Sequence, residues 1–379
     1  MKYLLFCTCL LLSPALTRAH DDAPIPGTGE QHTVEERLQA LEAHQTELYH
    51  TLEEKKAAGL DSAITDRLTV SGLIEVEAAA SDVASDDGSS DAASDLTLAT
   101  VQLGLGISLN EIMSGDVSLL FEEGAFGADD TDLEIDEAAL NFAHGPWSGR
   151  VGRQYLPFGV FHSHFISDPL TLALGETRET AVLAGYAYGP AALKAFAFNG
   201  DAEKTGEEDH IRDWGASLVL TPAEGVEVGG SYLSDLADSD AELLEEYTRR
   251  VGGWSAFAHL ERGRLTLDGE VLGASKRFAA SDLDSDGDGR GDRPLAWNLE
   301  VAWTPVEDVE LALRYEGSDE FAGQPERQYG ADVSWSPWEH TTLSLEYLHG
   351  EFDRDFSADD DGNVLDRQDL VTAQLAFEF

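Results

Sequence analysis

Between residues 68 and 379 the sequence breaks into short segments in which apolar and polar side chains alternate, and the connections between them are in turn short and long. The segments fall near 68–80, 95–109, 115–126, 133–144, 147–157, 178–189, 191–201, 210–222, 226–236, 249–262, 265–278, 295–305, 309–320, 326–337, 341–353 and 369–379, sixteen in all. A strand of ~9–11 residues tilted by ~45° crosses the hydrocarbon layer of a membrane. One set of connections is brief and carries Pro, Gly, Asn or Asp: 110–114, 145–146, 189–190, 222–225, 263–264, 305–308 and 337–340. The other set is long and mostly acidic: 81–94, 157–177, 234–248, 279–294 and 354–368, with shorter members near 127–132, 202–209 and 321–325. Tight turns on one side and longer loops on the other are the layout of an outer-membrane barrel. A soluble sandwich has no reason to sort its loops in this way.

Side-chain parity points the same way. Trp297, Leu299, Val301 and Trp303 share one face of their segment, and Asn298, Glu300 and Thr304 the other. Val309, Leu311, Leu313 and Tyr315 oppose Glu310, Arg314 and Glu316, while Leu343, Leu345 and Tyr347 oppose Ser344 and Glu346. A lipid-facing stripe and a wet interior predict this pattern. Trp147, Tyr188, Trp214, Tyr232, Trp254, Trp335 and Trp338 stand near segment ends, where interfacial girdles belong. The expected fold is all-β: a 16-stranded antiparallel transmembrane β-barrel over residues 66–379, with a soluble barrel or sandwich as the competing reading. On the last segment Leu375, Phe377 and Phe379 share a face and end in an aromatic residue, which resembles the signal read by the barrel-assembly machinery.

The region before the barrel reads differently. Residues 1–19 have the charged start, the apolar run and the Thr17/Ala19 cleavage site of a secretory signal peptide. Residues 20–33 are a polar linker. Over 34–58, Val34, Leu38, Leu41, Gln45, Leu48 and Leu52 follow a heptad seam, which predicts a periplasmic coiled-coil helix joining subunits, a homo-trimer being one arrangement. The competing reading is an amphipathic helix docked on its own barrel. Both cysteines, Cys7 and Cys9, lie in the signal peptide, so the processed chain has no disulfide or thiolate chemistry.

The chain carries 73 acidic and 24 basic residues, for a net charge of −49. Such a balance argues against nucleic acid as a partner, because phosphate needs clustered Lys and Arg. A sixteen-stranded barrel leaves an aqueous lumen. Parity places Glu75, Glu77, Glu122, Glu137, Glu227, Asp268, Glu270, Glu300, Glu310, Glu316, Asp332 and Glu346 on its inner wall. Carboxylates there would attract cations; the alternative is acidity spread over the whole surface as adaptation to salt. The connection 156–177 is less charged than the others and should avoid water. Folding into the lumen would let it constrict the pore, with Phe158, Phe161, His162, His164, Phe165, Asp168 and Glu176 lining it and Arg153 and Arg178 as a basic counter-face. Packing on the rim or on a neighbouring subunit is the other option.

Three smaller features invite chemistry. Asp284, Asp286, Asp288 and Asp292, within 282–292, have the alternating carboxylates and glycines of a Ca²⁺ loop, although position twelve counted from Asp282 is Arg293 rather than Glu. The other reading is a solvated acidic loop, and 359–363 is a weaker echo. His162 and His164 could present two rings to iron or zinc, or be ordinary loop residues. Ser163 lies between them, but adjacent residues on a strand point oppositely and make no nucleophile–base pair, so no enzyme is expected.

Gly152-Arg-Gln-Tyr-Leu-Pro-Phe-Gly159, followed by Ile166-Ser-Asp-Pro-Leu-Thr-Leu-Ala-Leu-Gly-Glu-Thr177, resembles the siderophore porins of the legiobactin-receptor (LbtU) type. Signal peptide, coiled-coil stretch and strand number are similar too. The resemblance implies an outer-membrane protein, in contact with lipid and lipopolysaccharide, that takes up ferric siderophore or a similar small solute without a plug domain. It carries no binding-residue set with it. Many carboxylate siderophores are anionic and the expected lumen is acidic, so a neutral or cationic ligand, or a general or cation-preferring porin, or a structural or adhesin-type barrel, stands beside that expectation.

Overall fold

The computed structural model describes residues 67–127, 132–206, 210–357 and 364–379. The expected signal peptide, linker and coiled-coil helix lie outside the described residues. Within them the chain forms β1 (Leu68–Ser85), β2 (Ser90–Ser108), β3 (Met113–Glu122), β4 (Asp132–His144), β5 (Trp147–Tyr155), β6 (Arg178–Tyr188), β7 (Ala191–Phe198), β8 (Glu203–Lys204) and β9 (Asp213–Ala223). There follow β10 (Val226–Leu233), β11 (Glu246–Tyr247), β12 (Gly253–Arg262), β13 (Leu265–Ala274), β14 (Leu295–Val306), β15 (Val309–Asp319), β16 (Arg327–Trp338), β17 (Thr341–Glu351) and β18 (Leu365–Glu378). Sixteen of these close into one antiparallel barrel in which β18 pairs with β1, and β8 with β11 makes a separate parallel pair in the outer loops.

Register aligns like with like around the wall. Glu300 pairs with Asp268 and with Arg314, while Val301 pairs with Leu267 and Leu313. A slip of one residue would exchange the two faces, so the pairing is strongly specified. Leu299, Val301, Trp303, Leu313 and Tyr315 are exposed, whereas Asn298, Glu300, Ala302, Ala312, Arg314 and Glu316 are buried. A soluble sandwich would bury the first set. Outward aromatics gather at both ends: Trp147 against Tyr186 at the tight-turn end, with ring centroids 4.6 Å apart, and Trp297 against Tyr315 at the long-loop end, 4.9 Å apart.

The expected loop 81–94 is instead mostly strand. β1 and β2 stay paired up to Ala84 and Ser90, and β1 also pairs with β18 along this stretch. The residues there are mostly Ala, Ser and Asp, which lack the apolar contrast that marks a strand in lipid, yet backbone pairing does not require that contrast. β18 likewise starts at Leu365, before the expected 369. At the closing seam Gly72 and Phe379 exchange two backbone hydrogen bonds of 2.9 and 3.0 Å. The Phe379 ring covers Gly72, where an added Cβ would lie 2.3 Å from it. Leu375, Phe377 and Phe379 all point outward.

Candidate pore constriction

The chain between β5 and β6 turns into the barrel and is sewn to the opposite wall. It enters past Gly152, whose φ of 143° and approach to the Ala138 carbonyl leave no room for a side chain. One face of the loop is apolar. Leu156, Phe158, Leu170 and Leu174, the last two on a short helix α1 (Leu170–Gly175), pack with Phe196, Phe198, Leu233, Leu236, Val251, Leu272 and Phe278. The other contacts are polar, and the wall supplies the acceptors. Glu270 accepts the backbone N–H groups of Val160 and Phe161, at 3.0 and 2.9 Å. Glu300 accepts that of His164 at 2.7 Å, Glu346 that of Ser167 at 2.9 Å, and Glu316 that of Leu170 at 2.8 Å. A loop inside a barrel has few partners for its amides, and unpaired buried donors are costly. Much of the carboxylate wall thus serves as an anchor for backbone.

Histidine and arginine complete the seam. Asp268 gathers His162 Nδ1 (3.1 Å), His164 Nε2 (3.0 Å) and His259 Nδ1 (2.7 Å), and His164 Nδ1 meets Glu310 at 3.1 Å. Burial works against a charged His164, but the hydrogen bonds to Asp268 and Glu310 prevail and raise its pKa to about 9. Arg314 lies under the loop, bonded to Glu300 and Glu316 and donating to the carbonyls of Ser167 and Asp168 and to Ser163 Oγ. Ser163 bonds to neither neighbouring histidine through any contact seen among the described residues.

What faces the open lumen is a narrower set. Asp168 at the loop's tip is exposed. It stands within electrostatic range of Glu75 and Glu77 on β1, of Glu122 on β3, and of Arg314 and Glu346. Glu176, where the loop returns, has its carboxyl pushed up to about 8 by burial, then by Asp240 and Asp168. Arg178 beside it bonds Glu134 at 2.5 Å and Asp136 at 3.0 Å, and Arg153 lies 3.9 Å from Glu134. The expected basic counter-face is therefore largely neutralised by its own wall. Phe158 and Phe165 do not line the passage: Phe158 has no exposed surface, and Phe165 is buried beneath the Arg314 guanidinium, 4.3 Å from its ring. Phe161 is half-buried against the apolar cluster, with a left-handed φ of 49°.

Elsewhere on the wall, Glu137 pairs with Arg150 at 3.0 Å, Asp332 accepts from Ser334 at 2.9 Å, and Glu227 on β10 is cross-strand from His259. Among the described residues three groups bring ligand atoms within 4.8 Å of one another: His162, His259 and Asp268; Asp213, Asp235 and Asp238; and Asp284, Asp286 and Asp288. In the first, the three side chains are already bonded together. The third is exposed at Asp286 and Asp288, while Asp292 is buried and accepts from Ser285 N–H at 2.7 Å. The second was not apparent in the sequence.

Among solved structures the barrel is similar to the outer membrane channel DcaP of Acinetobacter baumannii, with a TM-score of 0.59 and 16% identity over 82% of this chain and 97% of that one. It is also similar to the anion-selective porin from Comamonas acidovorans, with a TM-score of 0.60 and 11% identity, covering 82% and 99%. The fold is that of an outer-membrane porin. No family model matches the porin-like chain. A UPF0422 protein of Coxiella burnetii is 26% identical over 324 residues, 80% of this chain and 68% of the relative. The UPF0422 protein lpg2959 of Legionella pneumophila is 23% identical over 289 residues, 67% and 54% respectively, so this chain matches about half the length of that relative.

Proposed function

We propose that this porin-like barrel sits in the bacterial outer membrane, with its N-terminal segment in the periplasm, and admits ferric siderophore or a similar small solute by passive diffusion. The observation that carries this reading is the loop 156–177, fastened inside the lumen with Asp168 exposed and within electrostatic range of Glu75, Glu77 and Glu122. The stretches of resemblance to siderophore porins, 152–159 and 166–177, are the two ends of that loop and include its tip. Carboxylates on both sides of a water-filled passage favour cations and repel anions. The solute is therefore a ferric complex with no net negative charge. The same passage supports a second reading, a cation-preferring general porin.

Lipid meets the apolar outer face, and lipopolysaccharide the acidic loops. The barrel-assembly machinery would read Leu375, Phe377 and Phe379. A homo-trimer is the assembly we favour, in keeping with the description of one similar structure, OmpT of Vibrio cholerae, as a trimer form.

Planar-bilayer recording tests this. Reversal potentials in a KCl gradient should show preference for K⁺, and neutral or cationic ferric siderophores should block the current. Passage of small cations with no block by any ferric complex selects the general porin. Preference for Cl⁻ or absence of conductance refutes both.

A further inference from the structure

The outer loops hold a group of acids that the pore does not use. Asp213 begins β9, Asp235 follows β10, and Asp238 ends a short 3₁₀ turn, Leu236–Asp238. All three are at most 5% exposed, and each offers an oxygen within 4.8 Å of the other two. The polypeptide only partly satisfies them. Arg250 reaches Asp213 at 2.9 Å and Asp235 at 3.3 Å, and Ser234 donates to Asp213 at 3.2 Å. Asp238 receives the Ala202 N–H on Oδ1 at 3.1 Å, but its Oδ2 is buried without a hydrogen-bond partner. Asn199 Oδ1, close by in the chain to Gly200, whose Cα approaches Asp238, is likewise buried and unpartnered.

Arg250 in contact, with Arg212 also acting on Asp213, makes two guanidiniums for three buried carboxylates, and Arg250 does not reach the third. Bringing like charges together away from water is costly unless a cation joins them. The donor set is all oxygen, from the start of β9 and the turn after β10, with no histidine or thiol. Such a set suits a hard cation of flexible coordination, whose remaining ligands are water. We propose that Asp213, Asp235 and Asp238 form a Ca²⁺ site in the outer vestibule.

The site has a mechanical consequence. Two residues beyond Asp238, Asp240 donates its N–H to the Glu176 carbonyl at 2.8 Å and accepts the Arg178 N–H at 3.3 Å. Ca²⁺ would therefore brace the turn against which the inner loop returns to β6. It ties that turn to the start of β9 and to the segment around Ala202.

The test uses the full chain in detergent, stripped with a chelator and titrated with CaCl₂ by calorimetry and with Tb³⁺ by luminescence. One site should appear that Asp238→Asn weakens by about tenfold or more, since affinity follows ligand charge. Asp284→Asn, in the exposed acidic loop, should leave that site intact. Binding unchanged by Asp238→Asn, or lost with Asp284→Asn alone, overturns the proposal. Wild-type protein supplies a check that needs no variant: Ca²⁺ should protect residues 234–252 from protease relative to chelator. Identical cleavage with and without Ca²⁺ also overturns it.

Discussion

Arg314 has no exposed side-chain surface, and neither do its partners Glu300 and Glu316. Its Nε lies 2.9 Å from Glu300, one terminal nitrogen 3.3 Å from Glu316, and the other donates to the Ser167 carbonyl at 2.8 Å and to Ser163 Oγ at 2.5 Å. The planar fork of an arginine can serve acceptors in several directions at once, which a lysine ammonium cannot. Replacing it with Met would preserve bulk over Phe165 and leave two carboxylates buried without a cation. Removing one partner of a buried ion pair costs about 3–5 kcal/mol. Arg314→Met should therefore lower the thermal stability of the barrel in detergent and release the inner loop, raising single-channel conductance. Arg314→Lys should restore little of either. The triple change Arg314→Met, Glu300→Gln and Glu316→Gln should recover stability, because no charge is then stranded. Conductance equal to wild type in Arg314→Met would mean that the amide anchors alone hold the loop.

As an element, the loop is held by groups that titrate. His164 meets Asp268 of β13 through Nε2 and Glu310 of β15 through Nδ1, so bonding both requires the doubly protonated ring. Glu300 of β14 and Arg314 of β15 also face this part of the loop, and His162 and His259 of β12 share Asp268 with it. The His164 pKa is raised to about 9, from about 6.5 for a free histidine. Its contribution is complete below about 6.5 and is lost as pH rises through about 9. Current through single channels should be steady at pH 6 and become larger or noisier above pH 9, and His164→Asn should flatten that dependence. An unchanged wild-type record up to pH 10 would remove histidine from the latch. Strands and turns were legible in the sequence because a period of two and a run of turn residues are local signals. The loop's inward course was legible from its low charge. The anchoring was not: Glu270, Glu300 and Glu346 bind backbone amides more than a hundred residues away, and an amide is the same in every residue. Phe158 and Phe165 suited lining and packing equally well until the wall behind them was known. Asp213, Asp235 and Asp238 meet through the pairing of β9 with β10, with no motif to announce it.

At the scale of the whole molecule, the net charge of −49 can select ions in two ways. A diffuse field from acidic outer loops concentrates cations at the mouth, and local carboxylates at the passage act at contact distance. Salt separates them, since screening extends ~30 Å at 0.01 M, ~10 Å at 0.1 M and ~3 Å at 1 M. Of the inner-wall acids, Glu270, Glu300, Glu316 and Glu346 are bound to the loop, while Glu75, Glu77 and Glu122 lie on the wall that faces Asp168. These few should govern selectivity when the diffuse field is screened. Wild-type cation preference should thus be strong at ~0.01 M KCl and reduced but present at ~1 M. The triple change Glu75→Gln, Glu122→Gln and Asp168→Asn should abolish the preference at the higher salt and retain part of it at the lower, read as reversal potentials in bilayers. Loss at both salts would assign the whole effect to the passage. Equal preference in the variant and the wild type at ~1 M would assign it to the loops and leave the acidic passage without a role in choosing the solute.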